Sequence, residues 1–236
     1  MVNDKVGTKQ ESIMIKNGIV GLVAAVMCGA VAKAEFVVVN NPVADTVGFY
    51  SDAYKSSGSY AYAQSGAQGF DLEDSYTTSS LKWWGSSNGF NGQGIGNITG
   101  FQVIVWSSDF SSPVSSTNIN ISNISVVDTG EFNFFGQPVY EFYVPFVTQL
   151  AAGSYYMNIG AYLNDSAGDQ FVWSQGENVE DFWFTDENGQ YNWGDWRPLP
   201  TTLIGNTAGG AFVLSAPTPG AIALLGMAGL IGRRRR

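Results

Sequence analysis

Residues Pro138–Phe146 read Pro-Val-Tyr-Glu-Phe-Tyr-Val-Pro-Phe, with Tyr140, Phe142, Val144 and Phe146 at every second position. Successive side chains of a strand point to opposite faces, so this spacing lines one face of a half-buried strand with large apolar groups. Working outward, the same period recurs in Tyr155, Met157, Ile159, Ala161 and Leu163, and in the runs Leu81–Trp84 and Phe101–Trp106. Shorter runs at Phe36–Val39, Ser59–Ala63, Phe171–Trp173, Phe182–Phe184, Tyr191–Trp193 and Ala211–Leu214 extend the pattern. Ile119–Val127 also alternates, and its change of phase at Asn123 reads as a bulge. No window of the body holds a helical period. Asn88-Gly89, Asn91-Gly92, Thr129-Gly130 and Asn188-Gly189 are turn signals, the last predicting a hairpin. Ser107–Ser116, rich in serine and containing Pro113, reads as a loop. Short strands separated by Gly, Asn and Ser turns predict an all-β fold: a single antiparallel β-sandwich, jelly-roll or immunoglobulin-like, over residues 35–215.

The inventory of side chains restricts the chemistry. The chain has 236 residues, no histidine and a single cysteine, Cys28. Ser-His-Asp and Cys-His catalysis, histidine metal sites and multi-cysteine cages are therefore excluded. The net charge of -9 argues against nucleic acid, which needs a basic footprint. Residues 35–215 alone carry 18 acidic and 3 basic residues, a net charge of -15, because most cations lie in the two ends.

Those ends read as addresses. From Met14, a charged start leads into the apolar stretch Gly18–Val31 and then Ala32-Lys33-Ala34. Small residues at Ala32 and Ala34 complete the three parts of a secretory signal peptide over residues 1–34, cleaved after Ala34. Met1–Ile13 is polar and unpatterned, which leaves open whether translation starts at Met1 or Met14. Val26 and Met27 lack the small residue that a lipid-modified Cys28 would need beside it. At the other end, Pro217-Thr218-Pro219-Gly220 precedes an apolar run, Ala221–Ile231, then Gly232 and Arg233, Arg234, Arg235 and Arg236. The run would span only about 17 Å as a helix against a hydrocarbon core of ~30 Å, so it suits a transient, processed anchor with its arginines on the cytoplasmic side.

Residues 216–236 resemble the sorting segment of PEP-CTERM proteins, which are exported by bacteria that make extracellular polysaccharide. Thr218 stands where that family's typical motif has glutamate. The resemblance implies recognition by a membrane-embedded sorting enzyme of exosortase type, transient membrane insertion of the tail, and residence in the cell envelope, on the outer surface or in the extracellular matrix. Within the body, Asp71–Thr78, Leu81–Gly85 and Phe101–Trp106 are similar to secreted β-sandwich domains that precede such tails, which implies fold and compartment only.

Three chemistries remain open to such a domain. Flat indole and phenol rings stack on the apolar face of a pyranose while Asp and Asn take its hydroxyls, and Trp183, Tyr191, Trp193, Asp195 and Trp196 supply these groups densely. The competing reading is that each tryptophan packs the core. Trp83 and Trp84 must face opposite sides of one strand, one buried and the other not. Calcium needs several oxygen ligands from a flexible loop. Asp71, Glu73 and Asp74, or Asn164, Asp165 and Asp169, are candidate sets; no other cofactor is expected. Paired carboxylates could also hydrolyse glycosides without histidine. The reading adopted is an exported, C-terminally sorted structural or interaction protein without catalytic activity. A carbohydrate-binding module is the first alternative and a glycoside hydrolase the second.

Overall fold

Pro138–Pro145 is a strand with Phe142 and Val144 buried and Tyr143 and Pro145 exposed, as the alternation requires. The computed structural model describes residues 34–43, 46, 48–55, 63–87, 94–163, 170–177, 181–187, 193–198 and 209–217, and Phe36–Ala216 form one compact unit. In chain order the first strands are β1 (Ala34–Asn40), β2 (Phe49–Tyr50), β3 (Asp52–Lys55), β4 (Ala63–Leu72), β5 (Tyr76–Thr77), β6 (Ser80–Ser87), β7 (Ile98–Ser107) and β8 (Pro113–Asn120). They are followed by β9 (Ser125–Phe132), β10 (Pro138–Pro145), β11 (Gln149–Leu150), β12 (Gly153–Leu163), β13 (Phe171–Trp173), β14 (Phe182–Glu187), β15 (Trp193–Pro198) and β16 (Phe212–Pro217).

Two sheets pack as a sandwich. The first runs β1-β16-β6-β10-β9, and β6 is shared end to end on one side: Ser80–Trp83 pairs with β16, and Gly85–Ser87 with β13, which in turn pairs with β2. The second runs β15-β14-β4-β12-β7-β8. Here β3 pairs in parallel with the end of β12, an exception to the otherwise antiparallel pairing. A small two-stranded piece joins β5 and β11.

Rings from both sheets form the joint between them. Trp83 stacks on Phe142 at 5.4 Å, and Phe101 meets Trp83, Phe142 and Phe171 edge-on, each at 5.0 Å. All four are fully buried. Several buried polar groups are tied to backbone: Trp173 Nε1 donates to Ala211 O at 2.9 Å, Phe171 N to Asp52 Oδ1 at 2.9 Å, and Ser51 Oγ to Ile159 O at 2.6 Å.

Several expectations need correction. Ser107–Ser116 is not one loop: it turns at Ser108–Ser112 and continues as β8, with Pro113 first in a strand at the sheet edge, where its missing N–H is harmless. The phase change at Asn123 is a 3₁₀ turn, Ile121–Asn123, that carries the chain from the second sheet to the first. Thr129-Gly130 is a bulge inside β9, with Gly130 at φ +75°; the turn itself lies at Asn133–Gly136. Trp83 and Trp84 do face opposite ways, but both are buried, Trp84 under Lys82 in a small outer group with Val139, Ala211 and Val213. β14 and β15 pair antiparallel on either side of Asn188-Gly189. Asn188-Gly189, Asn88-Gly89, Asn91-Gly92 and Ser59–Tyr62 lie outside the described residues.

Candidate functional site

Alternation divides the strands of the second sheet between two faces. On β7, Phe101, Val103 and Val105 enter the core, which leaves Trp106 on the opposite face; on β12, Met157 and Ile159 enter it, which leaves Tyr156 outside. On β14, Phe182 and Phe184 are buried, and Trp183 between them turns outward, half-buried. Trp196 on β15 and Phe110 from the turn after β7 complete one group of five rings.

Phe110 is the hub. Its ring stacks on Tyr156 at 4.3 Å and 20°, and on Trp196 at 4.8 Å and 15°. Two near-parallel neighbours at such separations occupy opposite faces of one ring. Trp183 lies 5.3 Å and Trp106 6.2 Å from the same centroid. Trp106 and Trp196 also meet edge-on at 6.0 Å.

A single carboxylate ties the tips of two of these rings. Asp181 Oδ1 accepts from Tyr156 Oη at 2.8 Å and from Trp183 Nε1 at 2.9 Å. Asp181 sits in left-handed backbone at φ +57°, and its carbonyl accepts from Gly69 N at 3.0 Å. Gly69 stands opposite Tyr156 in the β4–β12 register, and a Cβ there would collide with the Asp181 carboxylate. The missing side chain is therefore what admits the carboxylate over the strand. Burial, then the bond to Asp181, pushes the Tyr156 phenol up to about 12. Trp106 Nε1 is buried and has no hydrogen-bond partner among the described residues.

The turn that carries Phe110 is braced internally. Asp109 Oδ1 accepts from Ser111 N at 3.0 Å and Ser107 Oγ at 2.7 Å, and these bonds hold its carboxyl down at about 2. Phe110 N donates to Ser107 O at 2.9 Å. Phe110 itself is at φ +55°, a left-handed conformation costly for a large side chain. As a whole the site offers flat apolar faces, a positioned acceptor and an unused donor, which is the equipment of a binding surface.

Of the residues singled out in the sequence, the structure brings Trp183 and Trp196 together. Asp195 is exposed on β15, and Trp193 opens that strand opposite Asp186, its side chain outside the described residues. Tyr191 is outside them too, as are Ala32, Thr218, Pro219, Gly220, Arg233–Arg236 and the set Asn164, Asp165 and Asp169. Ala34 opens β1 and Pro217 ends β16. Asp71, Glu73 and Asp74 are exposed at the end of β4 and in the turn beyond it; among the described residues, no three such side chains come together to hold a metal ion. Trp106, Phe110 and Tyr156 went unrecognised as site residues in the sequence, and Asp181 was not set apart from the other polar residues of its segment. The first and third carried a usable signal, being out of phase with the core residues beside them on strands otherwise correctly read. No protein-family model and no curated protein matches this chain.

Proposed function

We propose that this protein is an exported, non-catalytic component of the cell surface or exopolysaccharide whose β-sandwich binds polysaccharide on the outer face of its second sheet. The observation that carries the reading is the ring group Trp106, Tyr156, Trp183 and Trp196 on the outer face of the second sheet, with Trp106, Trp183 and Trp196 half-buried over a buried Tyr156 and the Asp181 carboxylate fixed beside them. Indole faces supply apolar contact to the C–H face of a pyranose, and a carboxylate accepts from its hydroxyls. The tail from Pro217 to Arg236 supports the second half of the reading: sorting by an exosortase-type enzyme after transient membrane insertion.

Each half has its own test. Affinity electrophoresis of the full-length protein through gels cast with neutral polysaccharides is expected to show retardation that Trp183→Ala and Trp196→Ala abolish while the far-ultraviolet circular dichroism spectrum is kept. Migration unchanged by every polysaccharide would overturn the binding half. Deleting Pro217–Arg236 is expected to release the protein from the cell surface, and unaltered localisation would overturn the sorting half.

A further inference from the structure

We propose that Phe110 occupies, in the ligand-free protein, the subsite that a neutral pyranose ring takes on binding, so that the Ser107–Ser112 turn is a displaceable stand-in for ligand. The inference rests on the sugar-binding reading above and deepens it by assigning a ring slot between Tyr156 and Trp196 and a class of ligand.

Three observations converge on the slot. First, Phe110 is stacked on both sides by near-parallel rings, at 4.3 and 4.8 Å. That is the placement a flat six-membered ring would adopt between two aromatic walls. Second, the turn is built to be separable. Its hydrogen bonds run among Ser107, Asp109, Phe110, Ser111 and Ser112, and Ser108, Asp109, Ser111 and Ser112 are exposed. The Phe110 ring packs the tip against Tyr156 and Trp196, and it does so from a left-handed backbone at φ +55° that is costly for a large side chain. Third, Trp106 Nε1 lies buried in the same ring group, without a partner among the described residues. Phe110 has no polar atom to offer this donor, whereas a sugar hydroxyl has one.

Charge selects the class of sugar. Asp181 lies in the group, Asp71 acts electrostatically on Tyr156, and Asp109 stands beside Phe110. A uronate would enter against these carboxylates and a body charge of -15, so the slot suits a neutral hexose polymer.

A ligand that must displace Phe110 binds with its affinity reduced by the fraction of time the slot is open. Removing the ring lifts that reduction. In affinity electrophoresis with soluble β-glucan, galactomannan and alginate, Phe110→Ala in the full-length protein is expected to bind a neutral polymer at least about tenfold more tightly than the wild type. Asp109→Ala, which keeps every ring and loosens the turn, is expected to shift affinity the same way by less. Alginate is expected to bind neither variant. Wild-type binding that depends on Trp196 but is unchanged or weakened in both variants overturns the slot and leaves the sugar-binding surface standing. No binding by the wild type or by either variant overturns both. Binding of alginate as tight as that of β-glucan overturns the neutral-sugar assignment. Thermal unfolding of Phe110→Ala guards the result: if that variant is unfolded at the assay temperature, Asp109→Ala alone decides.

Discussion

Two aromatic groups lie on opposite sides of the second sheet, and they differ in everything except residue type. Trp83, Phe101, Phe142 and Phe171 are fully buried and touch one another across the sandwich. Trp106, Phe110, Tyr156, Trp183 and Trp196 touch one another as closely, yet the polar tips of Tyr156 and Trp183 are wired to Asp181 and their hub is a turn residue rather than a strand residue. Phe101 and Trp106 are five positions apart on one strand, so their opposite parity alone sends one to the core and the other to the surface. Aromatic packing by itself therefore does not define a core: what separates the two groups is which of them closes the sandwich.

That difference has a large energetic signature. Phe142→Ala removes a ring from the centre of the joint and leaves a cavity that both sheets must bridge, so it is expected to cost about 3–5 kcal/mol in urea unfolding. Trp183→Ala removes a larger ring from the outer face, where solvent fills the space, and is expected to cost about 1–2 kcal/mol. Equal losses would mean that the outer group is a second core and not a surface. Trp83→Phe tests the core side: the Trp83 Nε1 donor is buried without a partner among the described residues, so losing it offsets part of the lost contact, and the variant should cost well under Phe142→Ala.

The core group was legible in the sequence and the outer group only in part, for a reason that lies in the strands between them. Strands with large side chains at alternate positions, β6, β7, β10 and β12, announce themselves. β4 does not, although it lies between β14 and β12 near the middle of the second sheet, because Ala-Gln-Ser-Gly-Ala-Gln-Gly-Phe-Asp-Leu carries little bulk. The bulk comes from its neighbours: a Cβ on Gly66 would meet the rings of Phe182 and Phe49, and one on Gly69 the Asp181 carboxylate. A strand whose volume is supplied by residues far along the chain has no local signature. Trp183 and Trp196 were visible as tryptophans in a polar region. Asp181 was not, since nothing local distinguishes it from the other acids, and Phe110 lies in a serine-rich turn whose only visible property is that it turns.

The dependence of the outer group on Gly69 gives the next test. Gly69→Ala drives a methyl group into the space of the Asp181 carboxylate, so the carboxylate must leave Tyr156 and Trp183. Overpacking of this kind is expected to cost about 1–3 kcal/mol, with the core rings undisturbed by near-ultraviolet circular dichroism. The titration of Tyr156 reports the same event. The phenol is pushed up from 10.0 to about 12, so between those values the folded protein keeps a proton that the unfolded chain has given up. Stability from this group is whole below pH 10 and is lost as pH rises through about 12. Asp181→Asn is expected to move the phenolate absorbance transition of Tyr156 to lower pH without returning it to the ordinary tyrosine range, because burial is the larger cause. A transition that stays in place would show that Asp181 does not govern the outer group.

The smallest effect is expected on the outer face of the first sheet, the counterpart of the ring face. There Lys82 Nζ lies 3.0 Å from Glu141 Oε1 and 5.7 Å from the centroid of Trp84. Both charged side chains remain about a third exposed, at 35% and 28%, so water screens their attraction. A double-mutant cycle with Lys82→Met and Glu141→Gln should therefore return a coupling of about 0.2–1 kcal/mol that shrinks as salt is raised. Methionine at position 82 keeps the apolar cover over Trp84, so the cycle isolates the ion pair from packing. The contrast with the second sheet is then one of kind. On the first sheet the outward tryptophan is buried beneath a salt-bridged lysine stem. On the second, a phenylalanine from a self-contained turn is stacked between Tyr156 and Trp196, and the slot proposed above is the space its ring fills.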